Sequence, residues 1–212
     1  MTFAYPTPTT IDTFYTNSEG YLITPEVLPY GEYSLVEVQA PYGYALDSTP
    51  VNFSVSAENT EKENTLTIVK VVKQNTAQKG KISVQKTGDI FTSVAMASSA
   101  YTNENGEMIV NPTTYTPVFA DGDLSGAVFQ VIAVEDIVTL DGTVHANAGN
   151  VVAEITTDEN GYAETDLLYL GKYEIKEVQA PYGYVRNSES QFVELTYAGQ
   201  EIAVRDTVNA SF

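Results

Sequence analysis

The segment Glu37–Tyr44 reads EVQAPYGY, and the same eight letters return at Glu177–Tyr184. Working outward from these blocks, the match continues. Gly31-Glu-Tyr-Ser-Leu-Val ahead of the first block corresponds to Gly171-Lys-Tyr-Glu-Ile-Lys ahead of the second. Further upstream, Asn17-Ser-Glu-Gly-Tyr21 corresponds to Asp158-Glu-Asn-Gly-Tyr162 with a one-residue slip. A repeat of this length, in order, marks two copies of one module. The second copy has a long stretch ahead of Val151–Thr157 that the first copy does not match, so the first is expected to lack its opening strands. Lys73–Gly80, polar and ended by glycine, reads as the linker. The expected division is a partial module over 1–76 and a nearly complete one over 77–212, with an insertion at 90–124.

Both modules read as strands. In Lys81–Thr87 one face carries Ile82, Val84 and Lys86. In Lys172–Glu177 one face carries Tyr173, Ile175 and Glu177, and in Glu201–Val208 one face carries Ile202, Val204, Asp206 and Val208. Alternate residues of a strand point to opposite sides of the sheet, so three strands place a lysine and two carboxyl groups on otherwise apolar faces. Asn-Gly and Asp-Gly pairs punctuate the runs, as an all-β sandwich of immunoglobulin-like type requires. Charge on such a face must neutralise or pair. Loss of hydration favours the neutral forms of amines and carboxylic acids. A neutral amine is a nucleophile, and a protonated carboxylic acid can polarise a carbonyl. Amide formation between Lys86 and Asp206, with Glu177 shuttling protons, is therefore one reading of the pattern. The other is a strand-end lysine that reaches its ammonium into solvent.

Composition narrows the classes. The 212 residues carry 10 Lys plus Arg against 28 Asp plus Glu, a formal charge of -18. Nucleic acid and anionic membrane surfaces need a basic stripe that this chain lacks. Apolar runs fall well short of the ~20 residues of a membrane span. Val, Thr and Tyr are abundant, favouring half-buried pleated surfaces. With no cysteine, disulfides, zinc thiolates and thiol nucleophiles are unavailable. His145, the single histidine, sits in a glycine-rich turn and reads as a solvated loop residue. No cofactor is implied. Met1–Thr10 carries neither a basic nor an apolar signal region, so export would belong to a longer parent chain.

The order Lys79-Gly-Lys-Ile-Ser-Val-Gln-Lys86-Thr-Gly, Leu124-Ser-Gly-Ala-Val-Phe129, Thr157-Asp-Glu-Asn-Gly161 and Leu170–Tyr184 resembles the collagen-adhesin B-type domain. This is also called the SpaA-like or prealbumin-like pilin domain of Gram-positive surface proteins. The resemblance runs over roughly residues 80–212, and the first copy resembles only the later part of such a domain. It implies an extracellular stalk or adhesin module, not an enzyme, in a wall-attached surface protein. Its partners would be neighbouring modules of the parent protein and a host or matrix protein or glycan. It also implies an intramolecular isopeptide bond in which Lys86 supplies the amine, Glu177 catalyses, and a last-strand Asp or Asn accepts. Asp206 has the inward parity. Asn209 is the commoner residue type but has the opposite parity unless a bulge intervenes, and an acceptor beyond Phe212 is a third option.

The first copy departs from this pattern. Glu37 keeps the catalyst's place and Asn75 could accept, but residues 1–61 contain no Lys or Arg. This half is expected to form no such bond, leaving Glu37 and Asn75 vestigial. The insertion 90–124 shows no dependable period and reads first as a solvated connector, with a helical turn or strand edge at Ser93–Ala100. Asp121–Asp123 and Asp158–Asn160 read as turns before calcium ligands. The alternative function is an accessory carbohydrate- or calcium-binding sandwich of an extracellular enzyme.

Overall fold

The computed structural model describes residues 11–57, 61–63, 66–202 and 208–212. Among them there is no helix, and the chain is all-β. It divides into two compact units: Met1–Ala40 with Leu46–Asn75, and Pro41–Ala45 with Thr76–Phe212.

In the first unit, β1 (Gly31–Leu35) pairs antiparallel with β2 (Val51–Val55), Gly31 opposite Val55. Tyr33 and Phe53 face each other across this pair with ring centroids 5.7 Å apart, a cross-strand contact that favours the register. A short hairpin joins Glu61–Glu63 to Leu66–Ile68. Among the residues whose side chains are described, Ala40 is the only buried apolar one in this unit.

The second unit holds the core. A four-stranded antiparallel sheet runs β7 (Val151–Thr156), β6 (Val128–Ala133), β9 (Gly171–Gln179), β10 (Gln191–Leu195). A three-stranded sheet runs β8 (Tyr162–Glu164), β3 (Ile82–Gln85), β11 (Val208–Ser211), with β11 parallel to β3. Ile82 and Val84 from one sheet meet Phe129, Val131, Tyr173, Ile175 and Leu195 from the other. Burying each large side chain contributes about 1.5–3 kcal/mol. The alternation read from sequence holds on both β3 and β9: Ile82, Val84 and Lys86, and Tyr173, Ile175 and Glu177, are all buried. Ser83 is buried too, because β3 is the middle strand of its sheet.

Three expectations change. The insertion is not a plain connector, and of the two readings of Ser93–Ala100 the strand holds over Ser93–Ala97 while the helical turn does not. The insertion is a long ribbon of β4 (Thr87–Ala97) against β5 (Thr114–Asp123), tipped by a hairpin of Ala100–Thr102 and Met108–Val110. Asp121–Asp123 lies in that ribbon, not in a turn. The last described strand begins at Val208, whereas Glu201 and Ile202 lie outside any strand. Val204 and Asp206 fall outside the described residues.

The two copies share detail beyond their sequence. Tyr33 donates its hydroxyl to the Pro29 carbonyl at 2.8 Å, and Tyr173 donates to the Tyr169 carbonyl at 2.6 Å. Asn17 Oδ1 accepts from the amides of Glu19 and Tyr21, as Asp158 Oδ1 does from Asn160 and Tyr162. β9 pairs with β10 with Gly171 opposite Leu195, the register of β1 on β2.

Candidate functional site

Lys86 sits at the junction of β3 and β4, its main chain held on both sides. Its amide donates to the Gly161 carbonyl at 2.8 Å and its carbonyl accepts from the Leu124 amide at 3.0 Å. Gly161 has φ +69°, and a Cβ there would lie 2.4 Å from the Lys86 carbonyl oxygen. The glycine of the repeated Asn/Asp-x-x-Gly-Tyr turn therefore allows the loop to approach the lysine backbone this closely.

Glu177 lies on β9, where a bulge skips Val178 and sets Glu177 opposite Phe129. Its side chain is fully buried, and that of Lys86 is 10% exposed. Lys86 Nζ lies 3.6 Å from Glu177 Oε1, beyond ordinary hydrogen-bond length. No hydrogen-bond donor reaches Oε1, while Oε2 accepts from the Asn187 amide. A buried carboxyl oxygen without a donor costs about 1–3 kcal/mol. Amine and carboxyl are thus held together where little water enters, and the sequence parity that singled them out corresponds to this proximity.

On the last-strand side, the described residue in register with Lys86 is Phe212. Phe212 donates its amide to the Gln85 carbonyl at 3.0 Å and accepts from the Thr87 amide at 3.1 Å. This parallel pattern makes Phe212 the partner of Lys86. The Phe212 ring packs on Phe129 at 4.7 Å, extending an apolar wall beside the pair. Asn209 is in β11, opposite Ser83, three residues or about 10 Å along the strand from the Lys86 position. Asp206 lies outside the described residues.

In the first unit, Glu37 Oε1 and Oε2 accept from Asn75 Nδ2 at 2.8 and 2.7 Å. Oε2 also accepts from the Asp47 amide at 3.0 Å, matching Glu177 and Asn187. Lys73, close in sequence to Asn75, is engaged elsewhere: its Nζ contacts Asp47 Oδ2 at 2.6 Å and donates to the Thr49 carbonyl at 2.7 Å. This ion pair and the hydrogen bonds from Thr49 hold Asp47 down at about 2.

His145 is exposed, but it lies in the short strand Val144–Ala146 and not in a turn; its ring stacks on Tyr169 at 3.6 Å and its Nε2 contacts Thr139 Oγ1 at 2.9 Å. Sequence reasoning missed this contact because the partners meet only through tertiary pairing. Among the described residues no group of three or more His, Asp or Glu is placed to hold a metal. Asp158 caps its turn. Of the tyrosines in the second Pro-Tyr-Gly-Tyr box, Tyr184 is exposed but donates its hydroxyl to the Asp89 carbonyl at 2.8 Å, whereas Tyr182 is fully exposed.

A family model described as SpaA, a prealbumin-like fold domain, matches residues 3–71 and 119–208. Glu37 and Glu177 fall inside the matched segments; Lys86 and Asn75 fall between them. No curated protein matches the sequence. Among solved structures, the Bacillus anthracis TIE protein is 26% identical with a TM-score of 0.45, over 87% of this chain and 25% of its own. The minor pilin of Streptococcus agalactiae is 16% identical with a TM-score of 0.35, over 83% of this chain and 61% of its own. BcpA, the major pilin subunit of Bacillus cereus, is 16% identical with a TM-score of 0.27, over 87% of this chain and 85% of its own. The chain thus spans a quarter of the length of the TIE protein and less than two thirds of the S. agalactiae pilin.

Proposed function

The chain belongs to the SpaA family of prealbumin-like domains, and from that premise we propose that it is a structural stalk or adhesin module of a Gram-positive cell-surface protein. Neighbouring modules of the parent would be its first partners. In this reading the second unit closes on itself through an isopeptide bond between Lys86 and an acyl group of the last strand, Asp206 or Asn209. The supporting observation is the buried Lys86–Glu177 approach of 3.6 Å, with one carboxyl oxygen lacking a donor.

The chemistry balances with the residues present. Neutral Lys86 Nζ attacks the side-chain carbonyl carbon while protonated Glu177 hydrogen-bonds to the carbonyl oxygen. Glu177 then relays a proton from the new amide nitrogen to the leaving group. Ammonia departs if Asn209 accepts, and water departs if Asp206 accepts. Reaction at Asn209 requires β11 to slide by three residues, or to bulge, from the register that seats Phe212 beside Lys86. A cross-link closing a loop of about 120 residues adds roughly 5 kcal/mol on the chain-entropy model used for disulfides. That would supply, in a cysteine-free chain, the rigidity a stalk needs.

Intact mass spectrometry of the wild type, Lys86→Ala and Glu177→Gln tests the bond, with peptide mapping to locate it. The expected result is a wild type lighter by one ammonia or one water and both variants at full mass. A wild type at full mass would overturn the bond, leaving the stalk assignment to rest on family membership.

A further inference from the structure

The β4–β5 ribbon leaves an apolar face uncovered. Thr92 is bulged between Phe91 and Ser93, so Phe91 pairs with Phe119, Val94 with Pro117 and Met96 with Tyr115. With the alternation of the strands, these six side chains share one face. All are exposed; Met96 is 72% and Tyr115 64% accessible. The opposite face is mostly small or polar, including Ala95, Ser93, Thr116 and Ala120. Among the described residues β4 and β5 pair only with each other, and a two-stranded ribbon is marginal in water without a covered face. A contiguous exposed apolar row of this kind marks an interaction surface.

Charge defines what covers it. The next pair on the same face is Asp89 opposite Asp121. Like charges directly opposed across a ladder are destabilising. Neither carboxylate has a cationic partner among the described residues. No Lys or Arg occurs anywhere from Thr87 to Gly171, so no cation of this stretch offsets the pair and its charge is open to a partner. A second copy fits poorly: stacking two such faces sets aspartates against aspartates or against apolar rows, and each arrangement desolvates charge without pairing it.

We propose that the apolar face of the β4–β5 ribbon, ended by the Asp89–Asp121 pair, docks an extended segment of another protein carrying alternating apolar side chains followed by lysine or arginine. The apolar row supplies the buried area and the aspartate pair fixes direction, since only one orientation sets the cations over the carboxylates.

The test uses the full chain and two fluorescent synthetic strands of alternating Val and Thr, one ended by Lys-Lys and one by Glu-Glu, read by anisotropy. The lysine-ended strand should bind saturably, the glutamate-ended strand at least about tenfold more weakly. Asp89→Asn with Asp121→Asn should remove that preference, and Phe91→Ser with Phe119→Ser should abolish binding. Val94→Thr, a milder change, should weaken binding while leaving the unfolding midpoint unchanged. Absent binding, equal binding of the two strands, or binding indifferent to these substitutions would overturn the proposal. So would a wild-type dimer in sedimentation that Phe91→Ser with Phe119→Ser dissociates, which would assign the face to a second copy.

Discussion

Glu37 holds the Asn75 amide with both carboxylate oxygens, at 2.8 and 2.7 Å, whereas its repeat equivalent Glu177 meets the Lys86 amine at 3.6 Å. The repeat places the same carboxyl on the same strand twice. The first unit presents it to an amide and the second to an amine. Each glutamate also accepts a backbone amide ten residues on, Asp47 or Asn187, so the backbone positions both identically. What differs between the copies is the group delivered to the carboxylate.

Glu37 therefore acts in the first unit as a structural acceptor. Glu37→Ala should leave the Asn75 amide and the Asp47 amide short of an acceptor and destabilise the unit by about 1–3 kcal/mol. The difference between the measured mass and the mass calculated from the sequence should be the same in variant and wild type, because residues 1–61 supply no lysine to react in this unit. Urea unfolding followed by tyrosine fluorescence checks the first point and mass spectrometry the second. A cross-linked Asn75 in the wild type would contradict both.

Gly161 sets the position of Lys86 without touching its side chain. Gly161→Ala introduces a Cβ 2.4 Å from the Lys86 carbonyl oxygen at a φ of +69°. Strain at such a position is of order 1–3 kcal/mol. The variant should lower the unfolding midpoint and, if the bond forms, slow its appearance in a mass-spectrometric time course. Gly126→Ala, also at positive φ but with open space around it, is the comparison. Equal effects from both substitutions would show that backbone strain alone, not the approach to Lys86, governs the outcome.

The residues that decided the site were legible because strand parity is a local property. Ile82, Val84 and Lys86, and Tyr173, Ile175 and Glu177, sit on strands with one face to the core, so alternation in sequence became alternation in burial. The ribbon was not legible for the converse reason: Phe91, Met96 and Tyr115 alternate with small residues, but no core covers either face. The bulge at Thr92 also breaks the period. The last strand resisted reading because its register comes from parallel pairing to β3, a long-range fact. Phe212, not a carboxyl or carboxamide residue, lies beside Lys86. The Asn17, Asn103 and Asp158 turns share one hydrogen-bond pattern, and all three carry Asn-Gly or Glu-Gly at the tip, a signal that short-range chemistry does encode.

Asp47 makes the first unit sensitive to acid. Its side-chain bond to Lys73, with those from Thr49, lowers it from 3.8 to about 2 in the folded chain. A depressed folded value means the stabilisation is present above pH 4 and is lost as pH falls from there through 2. Asp47→Asn should remove that part of the acid dependence. Thermal melts of both proteins across this window are expected to converge at the acid end. Parallel curves at all pH values would show that the Asp47–Lys73 contact contributes nothing in solution.

Tyr173 gives the second unit the opposite sensitivity. Its ring is buried against the core and its hydroxyl donates to the Tyr169 carbonyl at 2.6 Å. Burial pushes it from 10 up to about 12. Because the folded value is raised, its contribution is complete below pH 10 and is lost as pH climbs from 10 to 12, where the unfolded chain ionises first. Tyr173→Phe should cost about 1 kcal/mol at neutral pH through the lost hydrogen bond, and should flatten the alkaline decline. Tyr33→Phe removes the matching bond in the first unit, where the tyrosine is only half-buried, and should cost less. Unfolding midpoints at pH 7 and across pH 10–12 separate the two effects: an unchanged alkaline slope in Tyr173→Phe would place the sensitive tyrosine elsewhere.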